Sequence, residues 1–248
     1  MANRMSIFPN SLTIGNMFFG FWSIISAFEG NYVWAAYFVM LGGVCDALDG
    51  KVARLVKSTS DFGVEFDSLA DLVTFGMAPS ILMYNLYTKV YPGIDDLKHL
   101  IIFVSFMPLM FTGIRLARFN TELVGHSKKF FSGLPSPAAA MTIISFVLFE
   151  FETYGRLVHF KWLTATSIIV SYLMISRMKY QGFPVMFKRK ESFLKRNLKI
   201  VGVILLIAVV VKFKMSLLFP MMVFFVLSGI VGNIIEKMKS EDKEIEKE

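Results

Sequence analysis

Charge is scarce in this chain: Asp, Glu, Lys and Arg make up 18% of its 248 residues, against 55% hydrophobic and 15% aromatic residues. Cysteine is nearly absent. The lone Cys45 excludes an internal disulfide, leaves the redox compartment unmarked, and reads as a small packing residue beside Asp46. Three histidines, His99, His126 and His159, fall in expected loops or interfaces, where they read as wetted and not metal-ligating. No Ser/His/Asp or Cys/His arrangement suits a covalent nucleophile. Met1–Asn10 is short and polar, and nothing in it looks like a cleavable leader. Internal repeats and low-complexity segments are missing as well. A soluble domain with a mean hydropathy of +0.58 would have too little polar surface to face water, so an integral membrane protein is expected.

At about 20 residues per crossing, eight apolar segments emerge, near 12–28, 32–50, 67–88, 97–117, 135–152, 160–177, 198–212 and 215–235. The seventh is short, and Lys212 and Lys214 at its end suggest snorkelling to an interface. Eight spans put both termini on one side. Twenty of the 26 Lys and Arg residues, among them Arg4, Lys51, Arg54, Arg115, Arg118 and the run Lys188–Lys199, fall on that side. The positive-inside rule makes it cytoplasmic, for both termini and for the aspartate-bearing segment described next. The net charge of +7 is then chiefly a topology signal, and the 188–199 run is expected to rest on anionic headgroups of the bilayer. Nucleic acid is not an expected partner, since no soluble module accompanies the charge. Residues 236–248, alternating in sign, read as a charged cytoplasmic tail.

What the chain does have is four aspartates inside its apolar part: Asp46-x-x-Asp49-Gly50-x-x-Ala53-Arg54, then Gly63-x-x-x-Asp67-x-x-x-Asp71. Each charge in a membrane core costs roughly 2.5–3.5 kcal/mol on insertion scales, so four unpaired ones cost on the order of 10 kcal/mol. Helical spacing puts Asp46, Asp49, Gly50 and Ala53 on one stripe, and Gly63, Asp67, Asp71, Thr74 and Ala78 on a matching stripe of the next helix. The small neighbours let a bulky ligand approach the backbone. Arg54 and Lys51 are the only cations near in sequence, which leaves an acidic surplus. Two readings follow. One is a buried salt-bridge network around Arg54. The other is an oxygen-only site for hard cations, Mg²⁺ or Mn²⁺, with room for two about 3.5–4 Å apart as in phosphoryl displacement.

The spacing D-x-x-D-G-x-x-A-R-x8-G-x-x-x-D-x-x-x-D resembles the signature of the CDP-alcohol phosphatidyltransferase family, with all eight fixed positions met across 26 residues. Three further stretches resemble the serine-transferring branch: Ser60-Asp61-Phe62-Gly63 with Phe66-Asp67-Ser68-Leu69-Ala70-Asp71, then Arg115-Leu116-Ala117-Arg118-Phe119-Asn120, and Gly133-Leu134-Pro135-Ser136-Pro137-Ala138-Ala139. The resemblance implies an all-α, polytopic membrane helix bundle of about eight transmembrane helices. Its motif-bearing six-helix core would span about 9–177, within one catalytic membrane domain over 1–235, with two additional spans over 198–235.

By the same resemblance, the donor is a CDP-linked lipid (CDP-diacylglycerol or a CDP-archaeol type), the acceptor is the hydroxyl of L-serine, and CMP is released. Asp46, Asp49, Asp67 and Asp71 would hold two divalent ions, Mg²⁺ or Mn²⁺, and Asp71 would take the serine proton. Asn10, Thr13, Asn16, Gly50, Ala53, Arg54, Ser60 and Gly63 fall at CDP-lipid-binding positions, although Asn10 or Ser11 also serves as a helix cap. Arg115 and Arg118 would meet the serine carboxylate, unless they anchor the cytoplasmic face or neutralise the acidic cluster. Asn120 and Glu122 would meet the ammonium. Pro79, beyond Thr74, is expected to kink the third span. A homodimer is implied, and Gly229 and Gly232 permit close helix packing. Two alternatives remain open. The same transfer could run to glycerol 3-phosphate, an inositol phosphate or choline, or the carboxylates could line an ion or proton path.

Overall fold

The computed structural model describes residues 7–56, 61–90, 97–124, 133–178, 180 and 214–245. Among these, every regular element is helical: α1 Ile7–Phe28, α2 Tyr32–Val56, α3 Asp61–Asp71, a π-helical turn Leu72–Met77, α4 Ala78–Val90, α5 Lys98–Val124, α6 Ser136–Tyr154, α7 Phe160–Ile175, a short 3₁₀ turn Lys214–Leu217, and α8 Leu218–Ile245. Among the described residues, five stretches are long and apolar enough to cross a membrane: Asn10–Phe28, Tyr32–Val52, Asp61–Lys89, Lys98–Thr121 and Leu218–Ile235. The α7 helix is a shorter apolar helix. With exposed faces of Phe18, Trp34, Phe103, Trp162, Tyr172 and Phe224, this is an integral membrane protein. The seventh expected span, 198–212, lies outside the described residues.

Local chemistry explains the joints. Residues α1 and α2 form a hairpin that turns at Gly30, whose φ of 84° favours glycine. Asn31 N–H caps the end of α1 by donating to the Ser26 carbonyl (2.8 Å), and the Ser23 hydroxyl reaches across to the Ala35 carbonyl (2.8 Å). The α6 helix ends at Gly155 (φ 68°), whose N–H returns to the Phe151 carbonyl. It is the central helix of the bundle, with Ala138, Ala139, Ala140, Ile143, Ile144, Val147 and Leu148 all buried. The α2, α4 and α7 helices contribute to the same core, and α8 lies against α6 through an edge-on contact of Phe146 with Phe219 (4.9 Å between ring centres).

The third span is longer than its apolar pattern implies. Instead of starting at 67, it begins at Asp61 and runs through the π turn into α4. The expected disruption near Pro79 takes the form of that turn: Ala78 N–H donates to the Val73 carbonyl, five residues back. Proline has no N–H and crowds the carbonyl one turn before it, so a widened turn just ahead of Pro79 absorbs the mismatch. The even stripe expected from Gly63 to Ala78 is therefore interrupted after Asp71. Pro108 sits inside α5 without a break in the helix, and the next residue, Leu109, donates its N–H to the Ser80 hydroxyl on α4 (3.0 Å).

Candidate active site

Side-chain oxygens of Asp46 and Asp49 from α2 and of Asp67 from α3 lie within 4.8 Å of one another. Asp71, one turn further along α3, is within electrostatic reach of all three. Asp49 and Asp71 are buried, at 5% and 8% exposure. The salt-bridge reading of the cluster turns on Arg54, whose side chain lies outside the described residues. One Asp67 oxygen (Oδ1) is buried without a hydrogen-bond partner among the described residues. Buried carboxylate oxygens without partners are costly, and an all-oxygen donor set at this spacing fits a hard divalent ion.

The first helix fastens the cluster. Thr13 Oγ1 donates to Asp49 Oδ2 (2.9 Å), and Asn16 Nδ2 donates to Asp71 Oδ1 (3.1 Å). Just beyond Asp71, in the π turn, Thr74 Oγ1 donates to the backbone carbonyl of Asn16 (2.9 Å). Two glycines make this approach possible. A Cβ on Gly20 would come within 2.9 Å of Thr74 Cα, and one on Gly42 within 3.0 Å of Asn16 Oδ1. Residues of α1, α2 and the π turn thus meet at van der Waals limits behind the carboxylates.

The remaining site residues named from the sequence are spread around this centre. Asn10 is half-buried in the first turns of α1, and Gly50 and Gly63 flank the aspartates on α2 and α3. Ser60 lies outside the described residues, as do the side chains of Ala53, Arg54 and Glu122. Arg115 is brought close enough to Asp71 for the two charges to interact, and its Nη1 donates to Ser136 Oγ (3.1 Å). Arg118 is half-buried one turn along α5. Asn120 bridges α5 and α3, donating to Glu65 Oε2 and exchanging hydrogen bonds with Ser68 (3.1 Å each from Nδ2).

Glu150 was not singled out in the sequence. It is 1% exposed and accepts from Val158 N–H (2.7 Å), His159 N–H (2.8 Å) and the His159 ring (Nδ1, 2.9 Å), so it holds the chain entering α7. A carboxylate in the last turn of an apolar helix was the signal that could have found it. His159 is accordingly paired, not merely wetted. Gly229, which suits close packing between chains, is covered by the Tyr180 ring of its own chain, within 2.9 Å of where a Cβ would stand; among the described residues nothing approaches Gly232.

The sequence matches the family model of the CDP-alcohol phosphatidyltransferases over residues 6–176, more than half of its length. The chain belongs to that family. Similar proteins include a CDP-diacylglycerol–serine O-phosphatidyltransferase of Helicobacter pylori, 36% identical over 187 residues, covering 73% of this chain and 74% of the relative. One of the same name from Bacillus subtilis is 37% identical over 180 residues, covering 72% and 92%. An archaetidylserine synthase of Methanothermobacter thermautotrophicus is 36% identical over 176 residues, covering 69% and 68%. The family match ends at the close of α7, so α8 lies beyond it.

Proposed function

We propose that the chain transfers a phosphatidyl group, or its ether-lipid equivalent, from a CDP-linked lipid to the hydroxyl of L-serine and releases CMP. The observation that carries this reading is the convergence of Asp46, Asp49 and Asp67 within 4.8 Å beside an Asp71 oriented by Asn16, in a chain of this family. Both the bacterial relatives and the archaeal one carry serine in their names, which favours serine over the family's other alcohols.

The chemistry is a direct displacement. Asp71 accepts the serine hydroxyl proton as that oxygen attacks the lipid-bearing phosphorus. The bond from that phosphorus to the bridging oxygen breaks, and CMP leaves with the bond's electron pair. Asp46, Asp49, Asp67 and Asp71 would hold two divalent ions, Mg²⁺ or Mn²⁺. Such ions, when bound, supply charge neutralisation for the diphosphate and the departing CMP. Asn10, Thr13, Asn16, Gly50, Ala53, Arg54, Ser60 and Gly63 would line the nucleotide end, with Arg54 able to fork onto phosphate oxygens. Arg115 and Arg118 suit the serine carboxylate. Asn120, with Glu65 beside it, offers oxygens that suit the ammonium.

The distribution of Lys and Arg supports cytoplasmic termini and a cytoplasmic active site. We place the catalytic membrane domain at 1–235, with a core at 9–177 and a charged tail at 236–248, and expect the protein to work as a homodimer. The deciding experiment supplies the purified protein with CDP-diacylglycerol or a CDP-archaeol lipid, Mg²⁺ or Mn²⁺, and a panel of alcohols, and reads CMP. Serine-dependent release is expected. Release with glycerol 3-phosphate, an inositol phosphate or choline and indifference to serine would overturn the assignment.

A further inference from the structure

The Gly133–Ala139 turn is built around one interaction that the reaction scheme leaves without a task. Gly133, at φ 94°, sends its N–H to the Met178 carbonyl (2.8 Å), and Leu134 sends its own to the Leu173 carbonyl (2.9 Å). A Cβ at Gly133 would stand 2.9 Å from the carbonyl carbon of Met174, so only glycine lets the turn sit this tightly on the end of α7. The pinned turn delivers Ser136, fully buried, as the first residue of α6. Its hydroxyl accepts the hydrogen bond from Arg115 Nη1.

That leaves Arg115 in an unusual position. Its Nε is buried with no partner among the described residues, while its charge is felt at Asp71. It also stands at the N-terminus of α6, where the helix dipole disfavours a cation. A guanidinium carries five donors in a planar fork matched to a carboxylate. Among the described residues the fork thus keeps an unused donor at Nε, within electrostatic reach of the proposed proton acceptor Asp71.

Building on the reading that serine is the acceptor, we infer that Ser136 is a specificity-determining positioning residue. It orients Arg115 so that the guanidinium takes the carboxylate of the same molecule whose hydroxyl gives its proton to Asp71. An acceptor without a carboxylate gains nothing from this arrangement. The competing role for Arg115, general neutralisation of the acidic cluster, would make Ser136 serve both substrates alike.

The test is steady-state kinetics on full-length wild type, Ser136→Ala, Ser136→Thr and Arg115→Lys, with serine and CDP-diacylglycerol varied separately. Ser136→Ala is expected to raise the serine KM about tenfold, the loss of one hydrogen bond to a charged group, while the CDP-lipid KM stays near wild type. Ser136→Thr keeps a hydroxyl and should restore most of the loss. Arg115→Lys keeps the charge without the fork, should reproduce the serine-selective defect, and decides the matter if the Ala variant does not fold. Selectivity for serine over ethanolamine should fall in parallel. An unchanged serine KM, or equal rises for both substrates, overturns the assignment while leaving the acceptor intact. Wild type that releases no CMP with serine overturns the acceptor reading, and this inference with it.

Discussion

Asn16 and Asp71 are 55 positions apart, yet the amide of the first donates to the carboxylate of the second at 3.1 Å. The opposite side of Asn16 is tied as well, because its backbone carbonyl accepts from Thr74 in the turn that follows Asp71. One residue of α1 thus sets both the direction of the carboxylate and the path of the chain beyond it. Asn16→Ala should lower kcat for CMP release by about tenfold, the scale of one lost hydrogen bond to a charged group, and, since Asn16 is also placed at the nucleotide end, raise the CDP-lipid KM. A kcat equal to wild type would show that Asp71 needs no such support.

Replacing Asp71 itself separates chemistry from binding. Asp71→Asn should reduce CMP release by at least about 10²-fold, the range typical of a lost general base, while CDP-lipid still binds in the presence of Mn²⁺. Equilibrium binding and single-turnover release, measured on the same preparation, check this. Turnover at the wild-type rate would take Asp71 out of the role of proton acceptor.

Divalent ions should stabilise the fold as well as support turnover. Bringing the carboxylates of α2 and α3 together without an ion is unfavourable, so a ligand that binds only the folded cluster raises stability, by about 2.7 kcal/mol at 100 times its Kd. Chelator should lower the melting temperature and abolish CMP release, and Mn²⁺ or Mg²⁺ should restore both. In Asp46→Asn and Asp67→Asn the metal-induced rise should shrink. If it is full-sized in both, the ion binds elsewhere.

Gly20→Ala tests the packing behind the site. The new methyl would be driven against the Thr74 backbone, and overpacking of this kind costs typically 1–3 kcal/mol. Thermal unfolding should show the loss, and because Thr74 lies in the turn just after Asp71, the proposed proton acceptor, kcat should fall too. Gly232→Ala, with open space around it, is the matched control and should be silent in the monomer fold.

Glu150→Gln probes the other end of α6. It weakens the acceptor for two backbone N–H groups and the His159 ring, an expected loss of about 1–3 kcal/mol from under-satisfied buried groups. Since Glu150 shares no contact with the aspartates, neither KM should move in the fraction that stays folded. A changed serine KM would reveal coupling from α7 into the site.

What the sequence made legible follows from locality. The two aspartate stripes could be read because i, i+3 and i+4 spacing maps directly onto one face of a helix, and Asp46, Asp49 and Asp67 do converge. The long apolar runs gave the span order for the same reason. The motif places Asn16 at the nucleotide, and its bond to Asp71 cannot be read from sequence because no short-range pattern encodes a contact across 55 residues. The π turn was hidden for a different reason: Pro79 announces a disturbance without saying whether the helix bends or widens. Gly229 looked available because small residues suit helix packing generally, and only the fold shows Tyr180 already resting there.

The widened turn at Leu72–Met77 has a consequence for how this protein tolerates change. A helix advances by about 100° per residue, and the turn carries one residue more than a regular α-helical turn. Inserting or deleting a residue in the regular helix on either side would rotate α4 and everything it packs against relative to the aspartates, a change the widened turn can absorb by opening or closing. Those six positions therefore act as a phase adjuster between the acidic end of the span and its oily end, so each half is free to drift in sequence only while the other keeps its angular setting.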